Sequence, residues 1–267
     1  MTLQYNLALL AALAIAFVAF RLRTLNTSGF IAAAIVGFII FGMGGWQWAI
    51  ALMLFFISSS VLTKAFTKRK AGLNEKFSKG GRRDAGQVLG NGGLATFFAL
   101  LHWFFPQSPI PWFAFIITLA AVNADTWATE IGVLNPRPPR LITNMNRVVE
   151  KGTSGGISLF GTAGSFIGSA VIALVGVFAS PYPIAQPIFT LAILSISGLA
   201  GSMFDSLLGA TVQAIYRCPD CEKETERHPL HTCGANTHLI RGWHWLNNDL
   251  VNFSCSIFPI FFVFFVR

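Results

Sequence analysis

Apolar residues run along this chain in long blocks, and the polar residues collect between them. A helix needs about 20 mostly apolar residues to cross the hydrocarbon core of a bilayer. Blocks of that length recur at roughly 3–20, 28–44, 46–63, 85–105, 111–134, 157–179, 186–214 and 245–266. The pattern predicts an all-α fold, a polytopic transmembrane helical bundle of about eight spans. The second block is short and ends in glycine. The seventh is long enough to tilt or break, with Gly198, Gly201 and Gly209 as break points. The first lacks a preceding basic region and a small-residue cleavage pattern, so it reads as a retained helix.

Composition supports a membrane protein: 54% of the 267 residues are hydrophobic and 11% are charged, against about 25% charged in soluble domains. The net charge of +8 raises the question of nucleic acid. The cations lie between apolar blocks, however, so the expected partner is the lipid bilayer and not a nucleic acid. Lys and Arg mark cytoplasmic loops. They follow the first block (Arg21, Arg23), the third (Lys64, Lys68, Arg69, Lys70, Lys76, Lys79, Arg82, Arg83), the fifth (Arg137, Arg140, Arg147, Lys151) and the seventh (Arg217, Lys223, Arg227, Arg241). Eight spans with both termini outside therefore put 18 of the 19 cations on one side, leaving Arg267 opposite. The other connections, near Gly44, Pro106–Pro111 and Pro181–Pro187, are short and uncharged. The chain reads as one integral membrane domain, 1–267, with a cytoplasmic loop at 215–242.

Ionisable groups inside membrane segments are costly and mark sites or pathways. Here they fall at one depth. Asp84, Gln87 and Asn91 open the fourth block on one helical face, while Asn123, Asp125, Thr126 and Glu130 close the fifth. Asp205 and Ser206 lie late in the seventh, and Asn247, Asn248, Asp249 and Asn252 open the eighth. Helix capping accounts for Asp84 and Asp249 but not for Asp125 and Asp205, which sit deep in apolar stretches. Carboxylates facing one cavity repel unless neutralised. Mg²⁺ suits them, because it binds through one or two carboxylates together with substrate phosphates; protons would suit a transporter.

The segment Lys151–Ser158, KGTSGGIS, leads into the sixth block. Glycines allow close backbone approach, and a helix N-terminus presents N–H groups to anions. With Arg137 and Arg140 nearby and a second glycine-rich segment at Gly90–Gly93, the pattern reads as a phosphate cradle. It is not a Walker A loop, because the lysine precedes the glycines. In the cytoplasmic loop, Cys218 and Cys221 form a C-x-x-C pair followed by His228, His231 and Cys233. Cys218, Cys221, His231 and Cys233 make a structural Zn²⁺ set, with His228 as the substitute ligand. A metal-free loop or redox chemistry at the C-x-x-C pair is the alternative. Cys255 reads as a packing residue.

Six stretches together resemble a family of membrane proteins long described as a domain of unknown function. They are GGRRDAGQVLGNGG (80–93), NADTWATEIG (123–132), PRLIT (139–143), KGTSGGIS (151–158), FDSLLGATVQ (204–213) and WLNNDLVN (245–252). The family includes the eukaryotic transmembrane protein 19 and the chloroplast phytyl-phosphate kinase of tocopherol synthesis. The resemblance implies a kinase converting an isoprenoid monophosphate, such as phytyl phosphate, to its diphosphate with a nucleoside triphosphate. CTP is the expected donor by analogy with other membrane polyprenol kinases.

On that reading Asp84, Asp125, Glu130, Asp205 and Asp249 form the catalytic set, holding Mg²⁺ (Asp125 and Asp205 above all) and orienting donor phosphates. Arg82, Arg83, Arg140, Lys151, Thr153, Ser154, Gly155 and Gly156 bind phosphate. Asn91, Asn123, Asn248 and Asn252 hydrogen-bond phosphates, ribose or the carboxylates. The attacking phosphate is already ionised, so charge neutralisation and in-line placement matter more than a strong base. The rival reading is a proton- or cation-coupled transporter using the same carboxylates; a second rival is a non-catalytic lipid scaffold. An oligomer is compatible with either.

Overall fold

The structure, a computed structural model, describes residues 2–66 and 81–266. The basic run of Lys68, Arg69, Lys70, Lys76 and Lys79 lies outside the described residues. Among those described, the chain forms eight helices: α1 (Thr2–Arg21), α2 (Thr27–Ile39, continued by a π-turn at Ile40–Gly44), α3 (Trp46–Phe66), α4 (Ala85–Phe104), α5 (Ile110–Gly132), α6 (Leu159–Phe178), α7 (Pro187–Thr211) and α8 (Asn248–Ile257, continued as 3₁₀ helix over Phe258–Phe265). The change of helix type after Ile257 falls at Pro259, which has no N–H to donate to the preceding turn.

Seven of these helices are long and apolar enough to span a membrane. The exception is α4, the fourth predicted span. It has the length, at 20 residues, but Gln87, Asn91 and four glycines dilute the apolar character of its first half. It packs between α2, α5 and α8. The seventh predicted span does not break. α7 is continuous over 25 residues, and its glycines are places where neighbours come close. A side chain at Gly198 would collide with Ser169 Oγ, and one at Gly201 would come within 2.5 Å of Ala121 Cβ.

α5 is the axis of the bundle. Of its most apolar window 78% is buried, against 17–44% in the other six apolar helices. It is enclosed by α3, α4, α6, α7 and α8, and Trp112, Phe115, Ile116, Ile117 and Leu119 form the middle of the core. The outer helices expose large apolar residues such as Leu10, Phe104, Phe178, Ile188 and Phe261, as helices whose solvent is lipid do.

The two ends of the bundle differ. Helices starting at one end carry side-chain N-caps: Asn26 for α2, Asp84 for α4, Ser158 for α6 and Asn247 for α8. Each accepts a bond from an otherwise orphaned N–H. At the other end α5 and α7 begin at prolines without a side-chain cap, where a missing N–H is harmless. Among the described residues, the charged connections belong to the capped end.

The fold is mostly helical, as the sequence predicts, and the connections at this end hold two small sheets. Between α5 and α6 lies a small antiparallel sheet, β2–β1–β3, with Arg140–Leu141 as the central β1, Asn144–Val148 as β2 and Gly156–Ile157 as β3. Between α7 and α8 lies a second, β5–β4–β6, with Ile215–Arg217 as the central β4, Glu224–Thr225 as β5 and His238–Arg241 as β6. In it Tyr216 pairs with Thr225 on one side and Leu239 on the other.

Candidate functional site

The carboxylates predicted to cluster divide into two groups on opposite faces of α5. On the α7 side, Asp205 has Asp125 and Glu226 as its electrostatic neighbours and accepts a side-chain hydrogen bond from the thiol of Cys255. Its Oδ2 is buried and has no hydrogen-bond partner. On the α3 side, Glu130 is buried, accepts a 2.7 Å hydrogen bond from Thr63 Oγ1 and lies in the field of Arg83. Burial pushes the Arg83 guanidinium below its ordinary value, and the Glu130 carboxylate opposes that shift.

Asp84 and Asp249 take different places. Asp84 Oδ1 accepts from Gln87 N at 2.9 Å, and Gln87 Oε1 accepts from Asp84 N at 3.2 Å, forming a capping box. Asp249 does not cap α8: Asn247 does, accepting from Leu250 N at 3.1 Å. Asp249 and Asn248 lie in the first turn of α8, with Asn252 one turn on. The main chain of Asp249 passes so close to Gly90 that a side chain there would stand 2.8 Å from the Asp249 carbonyl oxygen. The Gly90–Gly93 segment is therefore helical, with Gly90 at the α4–α8 contact.

Several predicted phosphate ligands are turned inward. Asn123 is fully buried, accepts from Ser58 Oγ and Ser59 Oγ at 3.2 and 3.3 Å, and donates to Gly168 O at 2.7 Å. It ties α3, α5 and α6 together. Lys151 Nζ donates to Val133 O and Asn135 O at 3.1 and 2.6 Å, just past the C-terminus of α5, where a cation meets the negative end of the helix dipole. Arg140 Nη1 is exposed and donates to Met145 O. Asn91, Arg82 and Arg83 line cavities described below.

The KGTSGG loop docks on the end of α7 and the residues just after it. Gly155 has φ +83°, and a Cβ there would overlap Ala210; only glycine suits that backbone at that separation. Gly156 lies in β3, and Thr153 N closes a turn onto Glu150 O. Ser154 alone points its hydroxyl to the interior, donating to Gln213 Oε1 at 3.0 Å and to Glu226 Oε1 at 3.1 Å.

Glu226 is the site residue that the sequence pattern missed. It lies in a charged stretch, CEKETER, with no periodicity to single it out. Its position comes from the second sheet. Gln213 Nε2 donates to Glu226 Oε1 at 2.9 Å, and Arg241 anchors the sheet by donating to Gly209 O and Ala210 O at 2.9 and 3.0 Å, at the end of α7. Cys255, expected to be ordinary packing, is buried beside Asp205.

In the same module Cys218, Cys221, His231 and Cys233 bring four ligand atoms within 4.8 Å of one another, a set that could hold a metal ion. Cys218 and Cys233 Sγ are 3.5 Å apart, and His231 Nδ1 is 3.2 Å from Cys233 Sγ. His228, the substitute ligand, is elsewhere: its ring stacks on Tyr216 and its Nδ1 meets Thr237 Oγ1 at 3.3 Å. The hydrogen bond to Cys233, followed by burial and the Cys218 thiol, pushes Cys221 up to about 12. Thiols packed this closely resist sharing negative charge unless a cation neutralises it.

The chain belongs to the DUF92 family of integral membrane proteins, whose model matches residues 10–259. It is 32% identical to Protein PGR of Arabidopsis thaliana over 92% of this chain and 90% of that protein. It is 35% identical to the uncharacterized membrane protein MJ0933 of Methanocaldococcus jannaschii over 70% of this chain and 74% of that protein. A more distant relative is Protein VTE6, chloroplastic, also of Arabidopsis thaliana, at 25% identity over 85% of this chain and 61% of that protein. No solved structure matches the chain.

Proposed function

We propose that this DUF92 protein is a membrane-embedded isoprenoid-phosphate kinase. It would transfer the γ-phosphoryl group of a nucleoside triphosphate, CTP by the family analogy, to phytyl or a similar prenyl monophosphate. An oxygen of the monophosphate forms the new P–O bond, and the bond from the γ-phosphorus to the β–γ bridging oxygen breaks, releasing the nucleoside diphosphate. The observation that carries the proposal is Asp205. Its Oδ2 is buried without a hydrogen-bond partner, and Asp125 and Glu226 lie nearby. Such a group is costly to keep unless a cation completes it.

Asp125 and Asp205 would hold Mg²⁺, which supplies charge neutralisation on the transferred phosphoryl group. No three carboxylates among the described residues form a closed metal set. That suits an ion held by one or two protein oxygens and by substrate phosphates. Ser154 and Gln213 hold Glu226 in place beside Asp205, and Asn252 and Asp249 lie on the adjoining first turns of α8. The Cys₃His module would carry a structural Zn²⁺, the ion that thiolate and imidazole donors favour. On the charge bias of the loops, this end of the bundle is cytoplasmic or stromal. The whole chain would act as one membrane domain, with 215–242 standing over the site.

Proton or cation transport through the same carboxylates would need ionisable groups through the depth of the bundle. Among the described residues the far half offers His102, Tyr5 and Tyr182 and no carboxylate, lysine or arginine. The deciding experiment is a kinase assay on purified protein in nanodiscs with Mg²⁺, phytyl or geranylgeranyl monophosphate and each nucleoside triphosphate in turn. Diphosphate formation that Asp205→Asn abolishes supports the proposal. No product from any donor, with folded and metal-loaded protein, refutes it.

A further inference from the structure

Two cavities meet at Arg83. The first is an apolar slot walled by α1, α2, α3 and α4, with a cavity volume of about 100 Å³ and partly open to the surroundings. Its walls include Ala11, Ala16, Ala33 and Leu52, and its polar lining is confined to Arg83, Gln87 and Asn91 along α4. The lining runs from Ala11 to Ala19 on α1 and from Ala49 to Phe56 on α3. At 1.5 Å per residue that is a depth of about 12 Å. The second cavity lies at the capped end and is lined by Arg23, Lys64, Arg82 and Arg83, with the hydroxyls of Thr24, Ser60 and Thr63. Ser60 Oγ is buried there with no hydrogen-bond partner.

Arg83 is fixed between the two. Its main chain exchanges hydrogen bonds with the α1–α2 connection, N to Thr24 O at 2.9 Å and O from Asn26 N at 3.0 Å. Its guanidinium lies 5.8 and 5.7 Å from the ring centroids of Phe55 and Phe56, which line the slot. Among the described residues Glu130 is the carboxylate acting on it, and the lining of the mouth carries Arg23, Lys64, Arg82 and Arg83. An apolar slot with a basic, hydroxyl-lined mouth suits an amphiphile with a single anionic head.

We infer that these cavities form one binding site for a single-chain prenyl monophosphate, the phosphate among Arg83, Arg82, Lys64 and Ser60 and the first isoprene units in the slot. The site lies on the α3 side of α5, across that helix from Asp205 and Asp125, so it is a holding site for the acceptor lipid and not the place of transfer, and it rests on the kinase proposal for the identity of the lipid. The remainder of a longer chain would pass into the bilayer. A tail gains little by moving from lipid to an apolar slot, since both are hydrocarbon. Affinity therefore comes from the head, and the slot is expected to admit one chain and not two.

The test uses the full chain in nanodiscs and a geranylgeranyl monophosphate analogue carrying a diazirine on its second isoprene unit, with peptide mapping after irradiation. Label is expected on the α1–α3 walls between residues 11 and 56. Excess geranylgeranyl monophosphate should suppress it at least tenfold, while geranylgeraniol and dioleoyl phosphatidate leave it in place. Arg83→Gln and Ala33→Phe should each lower it at least fivefold. Label spread evenly over lipid-facing helices, label on α5–α7, or equal competition by phosphatidate overturns the inference, and none of these readings depends on a variant folding. Diphosphate formation with label elsewhere would refute this site and leave the kinase standing. Label in the slot without diphosphate formation would do the reverse.

Discussion

Ser154 Oγ donates to Glu226 Oε1 across 3.1 Å although 72 positions separate them in the chain. The bond joins the glycine loop after α5 to the cysteine module after α7, directly over the end of α7 that carries Asp205. Through it, the geometry of a metal-ligand module is tied to the charge distribution of the carboxylate cluster.

Metal in the Cys₃His module is therefore expected to matter for turnover at a distance. Chelation, or Cys221→Ser, should lower kinase activity at least tenfold with the helical circular dichroism signal retained. Glu226→Gln should lower it similarly with metal content unchanged, as read by elemental analysis of the purified protein. Full activity in metal-stripped protein would break the link.

Asp205→Asn should separate stability from activity. An asparagine of the same shape removes a buried charge whose neighbours are also carboxylates, so the thermal midpoint in detergent is expected to hold or rise. Turnover should fall about 10²-fold or more, the usual scale for removing one electrostatic partner of a transferring group. A fall in both quantities would make Asp205 a structural residue.

Lys151 is expected to behave as a helix cap. Lys151→Met leaves Val133 O and Asn135 O without their ammonium donor and should cost about 1–2 kcal/mol in denaturation. Nucleotide KM should be unchanged in protein kept below its transition, and Lys151→Arg should restore most of the stability. A tenfold rise in KM with stability intact would return Lys151 to the phosphate-binding set.

Gly155→Ala should destabilise by about 2 kcal/mol or more, combining a left-handed backbone with overlap on Ala210. Ala210→Gly in the same chain removes the overlap with the Ala210 Cβ but not that with its N and Cα at 2.5 and 2.6 Å, nor the backbone strain, so the pair should recover only a small part of the loss. The difference between the double variant and the sum of the singles measures the contact.

The membrane bundle was legible in the chain because a bilayer imposes a length and an apolar composition on each span, both of which are properties of consecutive residues. Asp84 was legible as a cap for the same reason, since it immediately precedes α4; Asp249 was read as a cap too, but Asn247 takes that place on α8. The Cys₃His set was also legible, because its ligands all fall within one loop. Which polar residues face one another was not. Asp125 and Glu130 are five residues apart on α5, and helical rotation sends one toward α7 and the other toward α3 and Arg83. Asn123 and Lys151 have the side chains that a phosphate site needs, yet Asn123 bonds Ser58, Ser59 and the Gly168 carbonyl, and Lys151 bonds the Val133 and Asn135 carbonyls just past α5. Glu226 reached Asp205 only because a three-stranded sheet folded back over the end of α7. Local chemistry determined the spans, the Asp84 cap and the metal-ligand spacing. Tertiary packing alone decided which charges share a cavity, because a buried polar group bonds with whatever folding brings within about 3 Å.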